Sequence, residues 1–224
     1  MTILVFRLEG VLQSWGERSR WDHRDSADMP TKSGIVGLLG GALGYPRGDK
    51  RLAKLSESLT LAVRADRPGT MMTDYHTVQG QEEKIRNAEG KPRSSFASNT
   101  IVSHREYLQD ACFTVFLAGE TDLLQRCAAA LTAPIWSPCL GRRSCPPTEP
   151  VQPTLTVAYV SLDDAVQGFR WQKPVRRQAK QMMAQIEDPL GDHERVDTTL
   201  CAYRYEFARR RVRFCTVKEG ETCT

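Results

Sequence analysis

The 224-residue chain has no run of about 18 apolar residues, the length that a helix needs to cross a bilayer. Its first residues lack the basic segment and the small-residue cleavage site of a signal peptide, so we expect a cytoplasmic protein with no membrane partner. The seven cysteines include no CxxC pair, and the four histidines do not lie at metal-ligand intervals from them. We therefore expect free, mostly buried thiols in a reducing compartment, with no metal and no other cofactor.

A nucleotide-hydrolysing loop is also excluded, although "MPTKSGIVGLLGGALGY" (29–45) is rich in glycine. In a phosphate-binding loop of the form GxxxxGK[ST] the glycines precede the lysine, whereas Lys32 and Ser33 precede the glycines here. The segment instead predicts a helix over 33–44 with Ser33 as its N-cap. Its glycines recur every three or four residues, which indicates one smooth face for close packing. The free N–H groups of the first turn, with Lys32 and Ser33, suit an RNA phosphate.

The charge pattern favours a polyanionic partner. The net charge is only +4, but residues 170–213 hold eleven Arg or Lys residues against six acids. Basic residues also occur in "GKPRSSF" (90–96) and "GRRSC" (141–145), and "FRWQKPVRRQAK" (169–180) mixes them with two aromatic residues. Arginine and lysine neutralise phosphates and aromatic rings stack on bases, so these segments together indicate RNA binding. A solvated charged surface is the alternative for each segment taken alone.

Hydrophobic periodicity predicts the order strand, helix, strand, excursion, strand, helix, strand. This is the βαββαβ order of an α+β, ferredoxin-like (RRM-like) fold, whose sheet has one face open to a ligand. The predicted strands are 2–9, 59–66, 73–79, 100–108, 111–119 and 154–160, and the predicted helices are 33–44, 49–58 and 121–133.

Two groups of residues are candidates for catalysis. His76 in "DYHTV" and His104 in "SHRE" have the residue type for metal-independent RNA cleavage by general acid–base chemistry. A single histidine on a strand is more often a hydrogen-bonded structural residue. The cluster "GDHERVD" (191–197) is more typical of a solvated loop than of a metal site.

The segments "LQSWGERSRW", "PTKSGIVGLLGGALGY", "DYHTV" and "LGRRSCPP", in this order, resemble the CasD family. These proteins are subunits of type I-E Cascade, the CRISPR RNA-guided surveillance complex of antiviral defence. The resemblance implies a RAMP protein with a ferredoxin-like palm and a β-hairpin thumb. It also implies a non-catalytic subunit that holds the 5′ handle of the mature CRISPR RNA and caps the backbone filament. Its partners would be the backbone subunit, the large subunit and the other Cascade subunits, with target DNA reached indirectly through the complex.

The resemblance places the palm in residues 1–160 with the thumb at about 78–107, and a C-terminal β-rich extension packed on the palm in residues 161–224. No catalytic residue is predicted; the alternative function is a metal-independent endoribonuclease that processes precursor CRISPR RNA, and a third is a protein adaptor without RNA contact. The predicted RNA-binding residues are Lys32, Ser33, His104, Arg105, Arg142 and Arg143, with Arg18, Arg20, Arg24, Lys91 and Arg93 in addition.

Overall fold

The computed structural model describes residues 1–18, 22–80, 85–86, 91–92, 99–201 and 206–218. The described residues form nine strands and four helices. The strands are β1 (Ile3–Gln13), β2 (His23–Arg24), β3 (Thr60–Arg67), β4 (Thr70–Gln79), β5 (Thr100–Ala118), β6 (Thr154–Thr156), β7 (Gln181–Glu187), β8 (His193–Cys201) and β9 (Glu206–Lys218). The helices are α1 (Lys32–Ala42), α2 (Lys50–Glu57), α3 (Thr121–Thr132) and α4 (Leu162–Gly168).

All nine strands belong to one sheet, whose main path runs β6-β1-β5-β3-β7-β9-β8. Neighbours along this path are antiparallel. Strand β4 pairs with β5 outside the path, and β2 pairs with β5 in the parallel direction. The chain is therefore a mixed α/β protein with a large antiparallel sheet. The three C-terminal strands β7, β9 and β8 continue this sheet beyond β3.

Strand β1 is buried on both faces, which explains why its sequence is almost continuously apolar. Leu4, Phe6 and Leu8 lie in a core that also contains apolar residues of α1, α2 and α3. Ile3 and Val5 lie in a second core that contains apolar residues of α4. Because side chains alternate across a strand, one segment contributes to both cores.

Strands β4 and β5 form a long hairpin, paired from Thr70 opposite Gln109 to Gln79 opposite Thr100. The sequence predicted two strands, over 100–108 and 111–119, where the structure has the single strand β5. Asp110 lies at the junction with a φ angle of 54°, so the polar "QD" pair marks a local distortion and not a strand end.

Helix α1 begins one residue earlier than the sequence predicted. Its N-cap is Thr31 and not Ser33: the Thr31 hydroxyl oxygen accepts a hydrogen bond from the N–H of Gly34 at 3.2 Å. The predicted close packing is confirmed at Gly34, where an added methyl carbon would lie 2.7 Å from the Trp15 ring.

The other glycines of this segment differ in how closely neighbouring atoms approach them. A methyl carbon at Gly40 would lie 2.3 Å from Cδ2 of Leu52, so a side chain here would force Leu52 to move. Added methyl carbons at Gly37 and Gly41 would meet no described atom within 4 Å. At Gly44, whose φ angle is 72°, a methyl carbon would lie 2.6 Å from Ile135, so the described part of the chain accounts for three of the five glycines.

The cysteines match the prediction of mostly buried thiols only in part, because three of the six described ones are half-buried. The six that the structure describes are free, and Cys112, Cys127 and Cys145 are buried. Burial raises the pKa of the Cys127 thiol to about 11, so it is protonated at neutral pH. Within the described ranges, none of the helices combines the length and the apolar character that a membrane crossing requires.

Candidate nucleic-acid interface

A short strand brings predicted RNA-binding residues of the first loop and of the hairpin together. Strand β2 lies parallel to β5, with His23 opposite His104 and Arg24 opposite Arg105. The pairing is supported by a hydrogen bond of 2.8 Å from the His104 N–H to the carbonyl oxygen of Asp22. Residues 22–24 of the first loop and residues 104–105 of the hairpin are therefore parts of one surface, although about 80 residues separate them.

One face of this surface carries aromatic and imidazole rings. Tyr75 lies opposite His104 in the hairpin, and their rings are in edge-to-face contact with centroids 5.4 Å apart. Tyr75 is 63% exposed, and the side chain of His23 is half exposed. Exposed rings on a strand surface are typical platforms for unstacked bases.

The opposite face carries charged groups. Because residues on a strand alternate between faces, Arg24 and Arg105 project to the side away from His23 and His104. Asp74 lies opposite Arg105 across the hairpin, and its carboxylate is 3.3 Å from a ring nitrogen of His76. Arg24 is exposed, whereas Arg105 is half-buried and its Nε donates a hydrogen bond of 3.1 Å to the Ser103 hydroxyl. The guanidiniums and the exposed rings thus lie on different faces.

Glu106 holds the first loop against the hairpin. One carboxylate oxygen lies 2.9 Å from Nε2 of His23, and the other accepts a hydrogen bond of 3.1 Å from the N–H of Ser26. Glu106, His23 and Tyr75 were not among the residues predicted from the sequence. The alternation of polar and ring-bearing residues in "DYHT" could have indicated Tyr75, but no sequence pattern links Glu106 to the first loop.

Arg142 is engaged within the protein. Its guanidinium donates hydrogen bonds to the carbonyl oxygens of Glu106, Arg24 and Asp25, at 3.2, 2.9 and 3.4 Å. It also lies 4.6 Å from the centre of the Tyr107 ring. Arg142 thus lies beside the β2–β5 surface, where its hydrogen bonds join the turn at 139–145 to the first loop and the hairpin.

Arg143 is exposed on the same turn, and Arg18 is exposed in the first loop. The Arg18 N–H donates a hydrogen bond of 2.7 Å to the carboxylate of Asp25, which orders this part of the loop. Burial raises the pKa values of the thiols of Cys139 and Cys145, which flank the turn, so both are uncharged at neutral pH. Arg143 therefore has no thiolate beside it to offset its charge.

Lys32 does not face this surface. Its side chain is 5% exposed, and its ammonium nitrogen lies 2.7 Å from a carboxylate oxygen of Glu187. The Lys32 N–H, in the first turn of α1, donates a hydrogen bond of 2.8 Å to the carboxylate of Asp197. Carboxylates of the C-terminal strands thus occupy the place that the sequence prediction gave to RNA phosphate. Ser33 is half-buried, with its hydroxyl 3.4 Å from that of Thr31.

The remaining predicted residues lie in the first loop and the excursion between β4 and β5. Arg20 and Arg93 are outside the described residues. Lys91 is described and exposed, next to an isolated bridge between Arg86 and Pro92.

The acidic cluster at 191–197 is dispersed by the fold. Asp192 pairs with His193 at 2.8 Å on the surface, whereas Asp197 is buried. Across the described ranges of the chain, no group of three or more His, Cys, Asp or Glu side chains is placed to hold a metal ion.

Comparisons with known proteins agree with this architecture. Residues 3–218 match the family described as CRISPR-associated protein (Cas_Cas5). The chain is 39% identical to the CRISPR system Cascade subunit CasD of Escherichia coli (strain K12) over 160 residues, which are 66% of this chain and 68% of that protein.

Two solved structures extend the comparison to the fold. A chain of a CRISPR RNA-guided surveillance complex has a TM-score of 0.77 and 31% identity, covering 96% of this chain and 90% of that one. A crystal structure of a Cas protein has a TM-score of 0.70 and 32% identity, covering 97% and 98%. The family match spans nearly the whole chain, and sequence and fold similarity extend across it. The chain therefore belongs to the Cas5 family of CRISPR-associated proteins.

Proposed function

We propose that this chain is an RNA-holding subunit of a CRISPR RNA-guided Cascade complex in the cytoplasm. In this proposal it binds the 5′ handle of the mature CRISPR RNA and caps the backbone filament, in contact with the backbone and large subunits. Target DNA is reached through the assembled complex. The observation that carries the proposal is the parallel pairing of β2 with β5, which places exposed rings on one face of a surface and the exposed Arg24 and half-buried Arg105 on the other. The family membership and the CasD similarity support it.

We propose further that residues 1–160 form a ferredoxin-like palm. Strands β6, β1, β5 and β3 are antiparallel neighbours in this order, α1 and α2 connect β1 to β3, and α3 connects β5 to β6. This is the strand order of a βαββαβ unit. The thumb is then the outer part of the β4–β5 hairpin, about 78–107, and residues 161–224 are the C-terminal extension.

The surface predicts different roles for rings and guanidiniums. Tyr75→Ala is expected to weaken binding of a labelled single-stranded RNA of the handle sequence by about 1–3 kcal/mol, the contribution of stacking on one base. Arg105→Ala is expected to weaken binding and to lower the slope of log affinity against log salt by about 0.7, the value for one phosphate on a single strand. Fluorescence anisotropy titrations over a range of salt concentrations measure both quantities.

Arg126→Ala is the matched control, because Arg126 is exposed on α3 and outside this surface. It is expected to leave affinity and salt slope close to those of the unmodified chain. Equal binding by all three variants would contradict the proposed surface. Loss of affinity without a difference in salt slope between Tyr75→Ala and Arg105→Ala would contradict the separation of the two faces.

A non-catalytic role predicts that the purified chain leaves a labelled precursor repeat RNA intact, with or without EDTA. The hairpin histidines are the groups to test, because His104 is exposed and His76 is half-buried. Denaturing gel electrophoresis after prolonged incubation measures the result. Site-specific cleavage that disappears in His76→Ala or His104→Ala would establish the endoribonuclease alternative instead.

A further inference from the structure

A second basic feature lies outside the surface described above. The segment 169–180 was predicted to bind RNA through both its aromatic and its basic residues, but the structure separates the two. Phe169 is buried and packs edge-to-face on Phe116, and the Trp171 ring nitrogen donates a hydrogen bond of 2.8 Å to the Thr114 hydroxyl. Trp171 is half-buried between Phe169, with ring centroids 4.9 Å apart, and the guanidinium of Arg7, 4.7 Å from its ring, so neither ring is presented to a base. The basic residues that follow them remain at the surface.

The chain makes a tight turn at residues 175–178, which we call the basic turn. The Gln178 N–H donates a hydrogen bond of 3.2 Å to the carbonyl oxygen of Val175, which is 4% exposed and anchors the turn. A guanidinium N–H of Arg67 donates to the carbonyl oxygen of Arg176. The turn is therefore fixed to strand β3, and its side chains are presented from a rigid support.

The two arginines of the basic turn have no partner in the described part of the chain. Arg176 and Arg177 are exposed, and no described carboxylate lies within 4.0 Å of either guanidinium. Neighbouring cations differ in this respect: the ammonium of Lys173 lies 2.9 Å from Glu149, and Arg170 donates to three carbonyl oxygens. The basic turn thus concentrates positive charge that no described carboxylate neutralises.

The backbone of Arg177 indicates that its side chain is needed. Its φ angle is 55°, in the left-handed region that favours glycine or asparagine. A non-glycine residue held there costs about 1–3 kcal/mol. Glycine would suit the turn better if only its shape mattered, so an arginine at this position points to a role for the guanidinium.

The basic turn borders a cavity of about 400 Å³ between it and the ends of β1 and β3. Glu9 and Asp110 also line the cavity, and both accept hydrogen bonds of 2.9 Å from the single guanidinium of Arg67. With Arg176 and Arg177, the lining carries three positive charges against two negative ones. The volume is sufficient for one nucleotide unit.

We propose that the basic turn and this cavity bind a phosphate group of a nucleic-acid strand, at a site separate from the β2–β5 surface. The inference rests on the proposed function, since an RNA-guided complex brings RNA and DNA strands to the chain. Both strands offer the same phosphodiester chemistry, and bidentate guanidinium contacts suit it. The site contributes affinity and register without reading sequence.

The test is Arg177→Gly in the full chain. It is expected to keep or raise the melting temperature, because glycine accepts the φ angle, and to weaken binding of the preferred strand about fivefold to tenfold through the lost phosphate contact. Arg176→Ala combined with Arg177→Gly is expected to lower the salt slope by about twice the single-contact value. The probes are labelled single-stranded RNA, single-stranded DNA of the same sequence and duplex DNA, and the probe that loses affinity identifies the strand.

Lys173→Ala is the matched control, because it removes one positive charge from the same segment but from a group already paired with Glu149. Unchanged affinity and salt slope of Arg177→Gly for all three probes would overturn the inference. If Arg105→Ala weakens RNA binding while Arg177→Gly does not, only this inference fails. If the unmodified chain binds no RNA probe, the proposed function fails as well.

Discussion

Gly141→Ala is expected to disrupt the turn that carries Arg142 and Arg143 and to lower the free energy of unfolding by roughly 3 kcal/mol or more. The φ angle of Gly141 is 88°, which disfavours any side chain. An added methyl carbon would lie 1.7 Å from the carbonyl oxygen of Ser14, so the clash is with backbone and cannot be relieved by a rotamer change. The turn must move away from Ser14.

The displacement should also affect RNA binding, because Arg142 joins the turn to the first loop and the hairpin. Without its bonds to the carbonyl oxygens of Arg24 and Glu106, strand β2 loses one of its supports. We expect Gly141→Ala to weaken RNA binding although glycine itself contacts no RNA. Urea unfolding and anisotropy titration of the same preparation measure the two effects.

Gly37→Ala is the control for this substitution. Gly37 lies in α1, and an added methyl carbon meets no described atom within 4 Å. Alanine is favoured over glycine in a helix by about 1 kcal/mol, so the control should raise stability. A Gly141→Ala protein as stable as the unmodified chain would show that the Ser14 contact does not constrain the turn.

Asp197→Ala is expected to lower the free energy of unfolding by about 3 kcal/mol, because it leaves the buried Arg210 guanidinium without its hydrogen-bonded carboxylate and with only Glu187, 3.9 Å away, as an acidic neighbour. Asp197 is 2% exposed and accepts hydrogen bonds from Arg210 at 2.6 and 2.9 Å. It also accepts the N–H of Lys32, so one carboxylate joins β8, β9 and the first turn of α1. For a chain of this size the melting temperature should fall by about 10 °C.

Two further variants test this explanation. Asp197→Asn keeps an acceptor for the Lys32 N–H but removes the negative charge, so its melting temperature should lie between those of Asp197→Ala and the unmodified chain. Asp192→Ala is the matched control on the same segment, because the side chain of Asp192 is 75% exposed and its pair with His193 is on the surface. We expect Asp192→Ala to leave the melting temperature unchanged. Equal melting temperatures for Asp192→Ala and Asp197→Ala would contradict the buried network.

The sequence was most informative about the elements that contain the core. Alternating and periodic apolar residues predicted the central strands and the first helices to within a few residues, because burial of one face imposes that period. The sequence was less informative about the residue at which each element begins and ends. Thr31 and Ser33 are both suitable N-caps, and only the backbone conformation decides which hydroxyl faces the N–H of Gly34.

In the candidate site, too, the sequence indicated residue types but not their contacts with distant segments. The sequence indicated that His104, Arg105 and Arg142 are near the interface, because residue types and family resemblance can be seen along the chain. It could not show that Arg142 is bonded to three carbonyl oxygens, since those groups come from segments more than 35 residues away. It likewise could not show that Glu106 holds the first loop.

Lys32 is the clearest case of a residue whose role depends on tertiary structure. A lysine at the start of a glycine-rich helix has the local features of a phosphate site, and the sequence by itself predicted the helix and, by resemblance, the family of the chain. The sequence predicted one open face of the sheet, whereas the structure has a second core on that side, against α4. Only the tertiary structure placed Glu187 and Asp197, which follow Lys32 by more than 150 residues, beside its ammonium and N–H groups. Local patterns fix which elements form because burial and backbone hydrogen bonding act over a few residues. Which charges remain free depends on partners that folding brings from distant parts of the chain.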